Sequence, residues 1–193
     1  MPRILFILLA TLWATTALAS QTTQDDEQFC SDATCFQLSA HLGGEILPLL
    51  GTGTFKYWGF RVYTAALYGP KESQSTSAIL AEVPKVLVIH YHRSIGPARF
   101  IESAYDTILQ NPANDMSQLA ASIERINTSY KQVRENDRYA IKYLPGEYFK
   151  LYFNDELLLE LDDGYFAKAY FGIWLSNHSI SRDLTDSLLG RAV

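Results

Sequence analysis

Cysteine is scarce in this chain of 193 residues, which has only Cys30 and Cys35, both in the segment CSDATC. No further Cys and no nearby His stands at the spacing of a metal site, so a metal or redox pair is disfavoured. In an oxidising compartment the two thiols can close a small loop. We predict a disulfide between them that adds little to the stability of the domain.

Several catalytic and binding signatures are also missing. The sequence has no G-x-S-x-G elbow, no H-E-x-x-H helix and no glycine-rich phosphate loop, which leaves hydrolase and nucleotide-binding functions without support. It has no excess of basic residues, because 16 Lys and Arg stand against 21 Asp and Glu, for a net charge of −5. A nucleic-acid partner is therefore disfavoured.

Long apolar runs are absent after the N-terminal segment MPRILFILLATLWATTALAS. This segment combines one early Arg with an apolar stretch and with Ala17 and Ala19 on either side of Leu18. The pattern predicts a secretory signal peptide over residues 1–19 that ends in A-x-A. A membrane anchor is less favoured, because the run is short for a hydrocarbon layer of about 30 Å. We therefore expect an exported protein, periplasmic or secreted, with no membrane span in the mature chain.

The rest of the chain divides into an arm and one domain. Residues 20–40 are polar and acidic, and they predict an N-terminal arm that carries the cysteine pair. Residues 41–190 are apolar and periodic, and they are long enough to build one domain with its own core.

Strands are predicted at both ends of this domain. The segment GTGTFKYWGFRVYTAALY, residues 51–68, is rich in aromatic and β-branched residues, and KVLVIHY, residues 85–91, is another strong strand. Residues 138–161 predict two or three strands, with turns at Pro145-Gly146 and Asn154-Asp155.

Helices are predicted in four segments, residues 97–110, 117–130, 165–175 and 181–190. We predict N-caps at Ser117, at either Asp162 or Asp163, and at Ser181, with Gly190 ending the last helix. An antiparallel sheet covered by helices, an α+β fold, is the consistent architecture.

A family pattern runs through the same segments. GTGTFKYWGFRVYTAALY with GPK after it is followed in order by VLVIHYHRSI, YLPGEYFKLYFND and AKAYFGIWLSNHSISRDLTDSLLG. Together these segments resemble the chalcone isomerase-like family over roughly His41 to Gly190. The resemblance implies an open-faced β-sandwich, a large curved antiparallel sheet with helices packed on one side.

The resemblance also implies where a catalytic site would lie. Plant chalcone isomerases cyclise a chalcone by attack of a phenolate on an enone; an Arg holds the phenolate, and hydrogen-bond donors stabilise the developing enolate. In this chain Phe55 occupies the position of that arginine, and a phenyl ring cannot stabilise a phenolate. Tyr63 occupies the first threonine position, and Ser187 keeps the second threonine-or-serine position.

Arg61 keeps an enzymatic alternative open. It shares strand parity with Phe55, Tyr57 and Tyr63, so it would supply a guanidinium to the same face if no bulge at Gly59 interrupted the alternation. On this alternative the protein is an intramolecular lyase or isomerase of chalcone type with a rearranged site. Its candidate catalytic residues are Arg61, Tyr63 and Ser187.

The leading hypothesis is a non-catalytic binding protein. Members of the superfamily include fatty-acid-binding proteins that place an Arg and a Tyr against the carboxylate. The resemblance therefore implies a small apolar or amphipathic ligand, a fatty acid or a phenolic, and no cofactor. The predicted ligand-binding residues are Phe55, Tyr57, Arg61, Tyr63 and Ser187. A structural protein of the envelope with an unknown protein partner is the third hypothesis, suggested by the polar arm and the many tyrosines.

Two other patterns carry less weight. His90 and His92 lie on one face of a predicted strand at a spacing that some metal sites use, but no third ligand is evident, so we expect no metal. Asn127 and Asn177 begin formal glycosylation sequons, which matter only in a eukaryotic host.

Overall fold

The computed structural model describes residues 27–31 and 34–191. The predicted signal peptide, residues 1–19, lies outside the described residues. Two short strands, β1 (Gln28–Ser31) and β2 (Thr34–Gln37), form a hairpin. Seven further strands form one antiparallel sheet, in which each strand lies beside the next one along the chain. They are β3 (Ser39–Leu42), β4 (Glu45–Tyr57), β5 (Phe60–Tyr68), β6 (Lys85–Tyr91), β7 (Arg138–Leu144), β8 (Tyr148–Phe153) and β9 (Glu156–Leu161).

The helices pack on one face of this sheet. They are α1 (Thr76–Ile79), α2 (Pro97–Gln110), α3 (Met116–Ser129), α4 (Gly164–Leu175) and α5 (Arg182–Leu188). The main hydrophobic core lies between the sheet and the helices, and a smaller cluster lies on the opposite, open face. A curled seven-stranded antiparallel sheet with helices on one side confirms the predicted fold.

Strand β5 shows how one sequence serves both faces. Successive side chains of a strand point to opposite sides. Tyr63, Ala65 and Leu67 belong to the core under the helices, whereas Ala66 and Tyr68 belong to the cluster on the open face. We call these two sides of the sheet the helix face and the open face.

The β1–β2 hairpin covers part of the open face. Its Cys30–Cys35 disulfide confirms the predicted bond. Phe36 is buried, and it packs in the open-face cluster with Leu47 and Tyr68. Part of the segment predicted as an arm, residues 20–40, therefore packs against the sheet of the domain.

The local signals in the sequence account for most element ends. Asp163 caps α4 by accepting from the backbone N–H of Phe166, and Ser181 caps α5, as predicted. The predicted N-cap of α3, Ser117, was wrong by two residues. Asp115 takes the capping position, where its carboxylate accepts hydrogen bonds from the backbone N–H and the hydroxyl of Ser117.

Candidate functional site

Two glycines in the GTG segment bring α5 close to β4. A Cβ on Gly51 would lie 2.8 Å from the carbonyl oxygen of Leu188, and one on Gly53 would lie 2.8 Å from the Cβ of Ser187. Contacts this short do not occur between real side chains and backbone atoms, so glycine is needed for this approach. The segment is therefore a packing surface on its helix face.

Tyr63 occupies the centre of the helix face beside the predicted site. Its ring stacks on Phe55 with centroids 5.2 Å apart, and its hydroxyl accepts a hydrogen bond of 3.1 Å from the indole N–H of Trp174 in α4. Tyr63 is only 7% exposed, and this burial raises its pKa well above the ordinary value, partly offset by the Trp174 hydrogen bond. The phenol therefore stays neutral at physiological pH, able to serve as a hydrogen-bonding group.

Aromatic side chains continue from Tyr63 through the core. Tyr91 meets both Tyr63 and Phe100 edge to face, and Phe100 stacks on Tyr130. The hydroxyls of Tyr130 and Tyr170 lie 2.6 Å apart, and burial raises the pKa of both phenols. These contacts of the described residues join aromatic rings and hydroxyl groups, and none of them places a cation beside the phenol of Tyr63.

Arg61 does not lie on the face of Phe55 and Tyr63. The register pairs Phe55 with Tyr63 but Lys56 with Arg61, with a shift between the two pairs that leaves Val62 as the extra residue of a bulge. Residues paired across strands share a face, and Phe55 and Lys56 are neighbours on β4 with opposite faces. The alternation breaks at Val62, so the condition on which Arg61 would share the face of Phe55 and Tyr63 is not met.

The remaining predicted residues are divided between the core and the surface. Ser187 lies in α5 next to Gly53, and its hydroxyl donates to the carbonyl oxygen of Asp183 within the helix. Tyr57 is 61% exposed at the end of the β4–β5 hairpin, away from the buried Tyr63. Phe55 and Tyr63 thus stack on the helix face, Ser187 packs over the neighbouring Gly53, and Tyr57 and Arg61 lie apart from them.

A cavity lies on the open face beneath the β1–β2 hairpin. Its volume is about 470 Å³, within the range of pockets that hold small organic ligands. The floor is apolar, and the rim is polar with one carboxylate, Asp155. The apolar lining residues are Phe36, Ala40, Val86, Val88 and Ala140, and Tyr68 adds a phenol.

Two cations of β7 line the same cavity. Arg138 and Lys142 lie four positions apart on the strand, with Ala140 between them on the same open face. Among the described residues, neither is paired with a carboxylate within 4.0 Å. Lys142 lies over the ring of Tyr152, with its Nζ 4.9 Å from the ring centroid. An amphipathic anion would find both an apolar floor and positive charge in this cavity.

Arg138 also connects the cavity to the hairpin and to His90. Its Nε–H donates to His90 Nδ1 at 3.2 Å, and its terminal nitrogen donates to the carbonyl oxygen of Cys35 at 3.4 Å. Burial lowers the pKa of His90, the charges of Arg138 and His92 lower it further, and a hydrogen bond with Asn136 opposes them. His90 is therefore neutral near pH 7, which its role as acceptor requires.

The histidine pair is part of this hydrogen-bond network. The rings of His90 and His92 lie 5.4 Å apart, and His92 Nε2 is 2.7 Å from the hydroxyl of Thr64. Over residues 27–31 and 34–191, no group of three His, Cys, Asp or Glu side chains could hold a metal ion.

Three residues near Tyr63 and in the open-face cavity were not predicted from the sequence. Trp174 was noted only within an apolar helix, because nothing in the sequence shows that its indole reaches Tyr63. Arg138 and Lys142 had a usable signal, since the alternation of RYAIKYL puts both on one face of a strand. What the pattern does not reveal is that the hairpin packs over part of that face.

Comparison with known proteins is consistent with this architecture. A search of curated protein sequences finds no match. The fold is similar to the crystal structure of a fatty-acid binding protein from Arabidopsis thaliana, with a TM-score of 0.63 and 13% sequence identity. The match covers 84% of this chain and 96% of the Arabidopsis chain. At this identity the likeness concerns the fold alone.

A family model described as chalcone isomerase-like matches residues 32–190. The matched range includes all seven strands of the main sheet and helices α1 to α5. It agrees with the resemblance seen in the sequence motifs and with the curled sheet. This chain belongs to the chalcone isomerase-like family.

Proposed function

We propose that this protein is an exported, non-catalytic carrier or receptor for a small amphipathic acid, a fatty acid or an acidic phenolic. The observation that carries the proposal is the cavity of about 470 Å³ on the open face, with Arg138 and Lys142 beside an apolar floor. The fatty-acid binding protein with a similar fold supports the same ligand class. The predicted signal peptide and the Cys30–Cys35 disulfide support export.

The cavity offers each part of such a ligand a suitable partner. Val86, Val88 and Ala140 would take the hydrocarbon or ring portion, because burying apolar area gains about 25 cal/mol per Å². Arg138 and Lys142 would take the carboxylate through charge-assisted hydrogen bonds. Asp155 lies on the same rim, so the anion is expected to lie toward the two β7 cations.

The helix face supports a binding role over catalysis. By the sequence resemblance, Phe55 stands where the phenolate arginine is expected, and the bulge at Val62 places Arg61 on the opposite face. The group that remains, Phe55, Tyr63 and Ser187, offers apolar contact and hydroxyls without a cation to favour a phenolate. It remains a proposed second position for an apolar ligand.

Dodecanoate is the probe that tests the proposal. We expect the purified chain to bind it in isothermal titration calorimetry and native mass spectrometry. Dodecanol, which lacks the charge and so loses both charged contacts, should bind about a hundredfold more weakly, the ratio that about 3 kcal/mol produces. Native mass spectrometry of protein taken from its own host should also show a bound acid. A chain that comes empty from its host and binds no fatty acid or phenolic would overturn the proposal.

Variants of each face distinguish ligand binding in the open-face cavity from binding on the helix face. Lys142→Gln and Arg138→Gln should each weaken dodecanoate binding about tenfold, because each removes one charged contact worth about 1.5 kcal/mol. Arg182→Gln, which removes an exposed cation of α5, is the matched control and should leave binding unchanged. If Tyr63→Phe weakens binding while both β7 variants do not, the ligand lies on the helix face and the open-face assignment is wrong.

A further inference from the structure

The end of the β4–β5 hairpin exposes aromatic side chains to an unusual degree. We call residues 56–61, KYWGFR, the β4–β5 tip. Trp58 is 84% exposed, Phe60 67% and Tyr57 61%, and these are the three most exposed aromatic residues in the described part of the chain. Large apolar side chains gathered at one exposed point mark an interaction surface more often than a chance feature of the fold.

The backbone conformation at the tip is one that tryptophan rarely adopts. Trp58 and Gly59 form the two-residue turn, with φ of +51° and +79°. Such turns favour Asn, Asp or Gly, because other residues are strained at positive φ. The β8–β9 turn of the same sheet has the same form and uses Asn154 and Asp155. Trp58 therefore occupies a position where neither packing nor backbone preference favours tryptophan.

Both charged side chains within residues 56–61 are basic. Lys56 and Arg61 are paired across the hairpin and exposed, and the guanidinium of exposed Arg93 lies 5.9 Å from the ring centroid of Phe60. The sequence has no acidic residue between Glu45 and Glu72, although the chain as a whole has a net charge of −5. The tip is therefore a positive, aromatic surface on an acidic protein.

The tip also projects past its neighbours in the sheet. The ladder between β6 and β5 begins at Tyr63, with one further backbone hydrogen bond from the N–H of His92 to the carbonyl oxygen of Val62. Strand β3 pairs with β4 only as far as Pro48. Within the described sheet, the ladder partners of residues 56–61 are the residues of the tip itself. Of the carboxylates at this end of the sheet, Glu135 and Asp137 lie in the segment that enters β7, next to the end of β6, and Asp155 lies in the β8–β9 turn. The tip therefore extends beyond the ladders of the neighbouring strands.

We infer that the β4–β5 tip docks this protein on a bilayer surface that carries anionic lipids. Trp and Tyr prefer the boundary between water and acyl chains, where an amphipathic ring satisfies both sides. Lys and Arg beside them are attracted to anionic headgroups, with about a fivefold gain in binding for each charge near the surface. Trp58, Phe60 and Tyr57 enter the boundary, while Lys56, Arg61 and Arg93 lie at headgroup level. The inference does not depend on the ligand proposed above.

Vesicle sedimentation without added fatty acid tests the inference. We expect the chain to sediment with vesicles that contain phosphatidylglycerol, to bind phosphatidylcholine vesicles more weakly, and to lose affinity as salt is raised. Trp58→Asn is the decisive variant, because it removes the ring and supplies a residue that the turn prefers. This variant should bind the anionic vesicles at least about tenfold more weakly, because the indole ring is no longer transferred from water into the membrane interface. Its melting temperature should be equal to or above that of the wild type.

Charge variants and a matched control complete the design. Lys56→Gln and Arg61→Gln should each reduce binding to anionic vesicles about fivefold and leave binding to neutral vesicles unchanged. Tyr105→Ser, which removes an exposed ring of α2, should leave both unchanged. Absence of vesicle binding at low salt, or wild-type binding by Trp58→Asn, would overturn the inference. A wild-type dimer that Trp58→Asn converts to a monomer, without vesicle binding, would also overturn it and assign the tip to a second copy.

Discussion

The two faces of the sheet differ in how completely they are covered. The helix face is filled by aromatic rings, and Tyr63 is buried there against Phe55 and Trp174. The open face carries Arg138 and Lys142 beside a cavity that the β1–β2 hairpin covers. Strand β5 supplies residues to both faces, so the difference lies in the elements that cover each face. In this protein the helices close one side of the sheet, and the hairpin leaves space on the other.

The largest effect is expected where a helix approaches the sheet most closely. Gly51→Ala should lower the free energy of unfolding by about 3 kcal/mol, because its Cβ would meet backbone atoms of Leu188 and Gly190 that cannot move independently. Urea denaturation measures the change. Gly172→Ala, inside α4, is the control: its Cβ meets only Ser176 at ordinary contact distance and should stabilise by up to about 1 kcal/mol. Equal stabilities for the two variants would refute the close approach of α5.

The helix face should also respond to alkaline pH through Lys85. This side chain is 1% exposed; burial lowers its pKa to about 8, and Glu82 opposes the shift. The unfolded chain binds this proton up to an ordinary pKa near 10.4, so the free energy of unfolding should rise between about pH 8 and pH 10 by about 2 kcal/mol. Above about pH 10 the rise should reverse, because burial raises the pKa of Tyr63 and Tyr170 and only the unfolded chain ionises them readily.

Urea denaturation at a series of pH values measures this rise. Lys85→Met should flatten it between pH 8 and pH 10, because no buried amine then loses a proton. Lys142→Met removes a lysine of the open face and should keep the rise. An unchanged rise in Lys85→Met would show that another group causes it.

The open face should respond to acid instead, with a smaller effect. Burial and the charge of Arg138 lower the pKa of His90, so the folded state resists the proton that the unfolded chain accepts near pH 6.5. Stability should therefore fall as pH drops from about 7 to about 5.5. Protonation also removes the acceptor for Arg138, which contacts the hairpin at Cys35.

Thermal melts across this range check the acid response. His90→Gln should remove part of the decrease, and His178→Gln, at an exposed position after α4, should leave it unchanged. Identical pH profiles for wild type and His90→Gln would argue against a role for His90.

Local patterns predicted the fold well because they act within one element. The caps at Asp163 and Ser181 and the turn at Asn154-Asp155 depend on neighbouring residues and could be predicted from the sequence. The β5 alternation was also predictable, but the bulge at Val62 was not, and it moved Arg61 to the other face. A one-residue shift of register reverses every side chain beyond it, so site predictions along a strand fail together.

The sequence alone determined the order of the main strands and helices, because periodicity encodes it within each element. It also determined the pairing of Cys30 with Cys35, the two cysteines of the chain, and the family through the resemblance of its motifs. Only the tertiary structure decided what each face became. It brought Trp174 to Tyr63, set the hairpin over Arg138 and left Trp58 exposed on a projecting turn. These contacts join residues that are far apart in the chain, and they depend on which surfaces the packed helices and the hairpin leave uncovered.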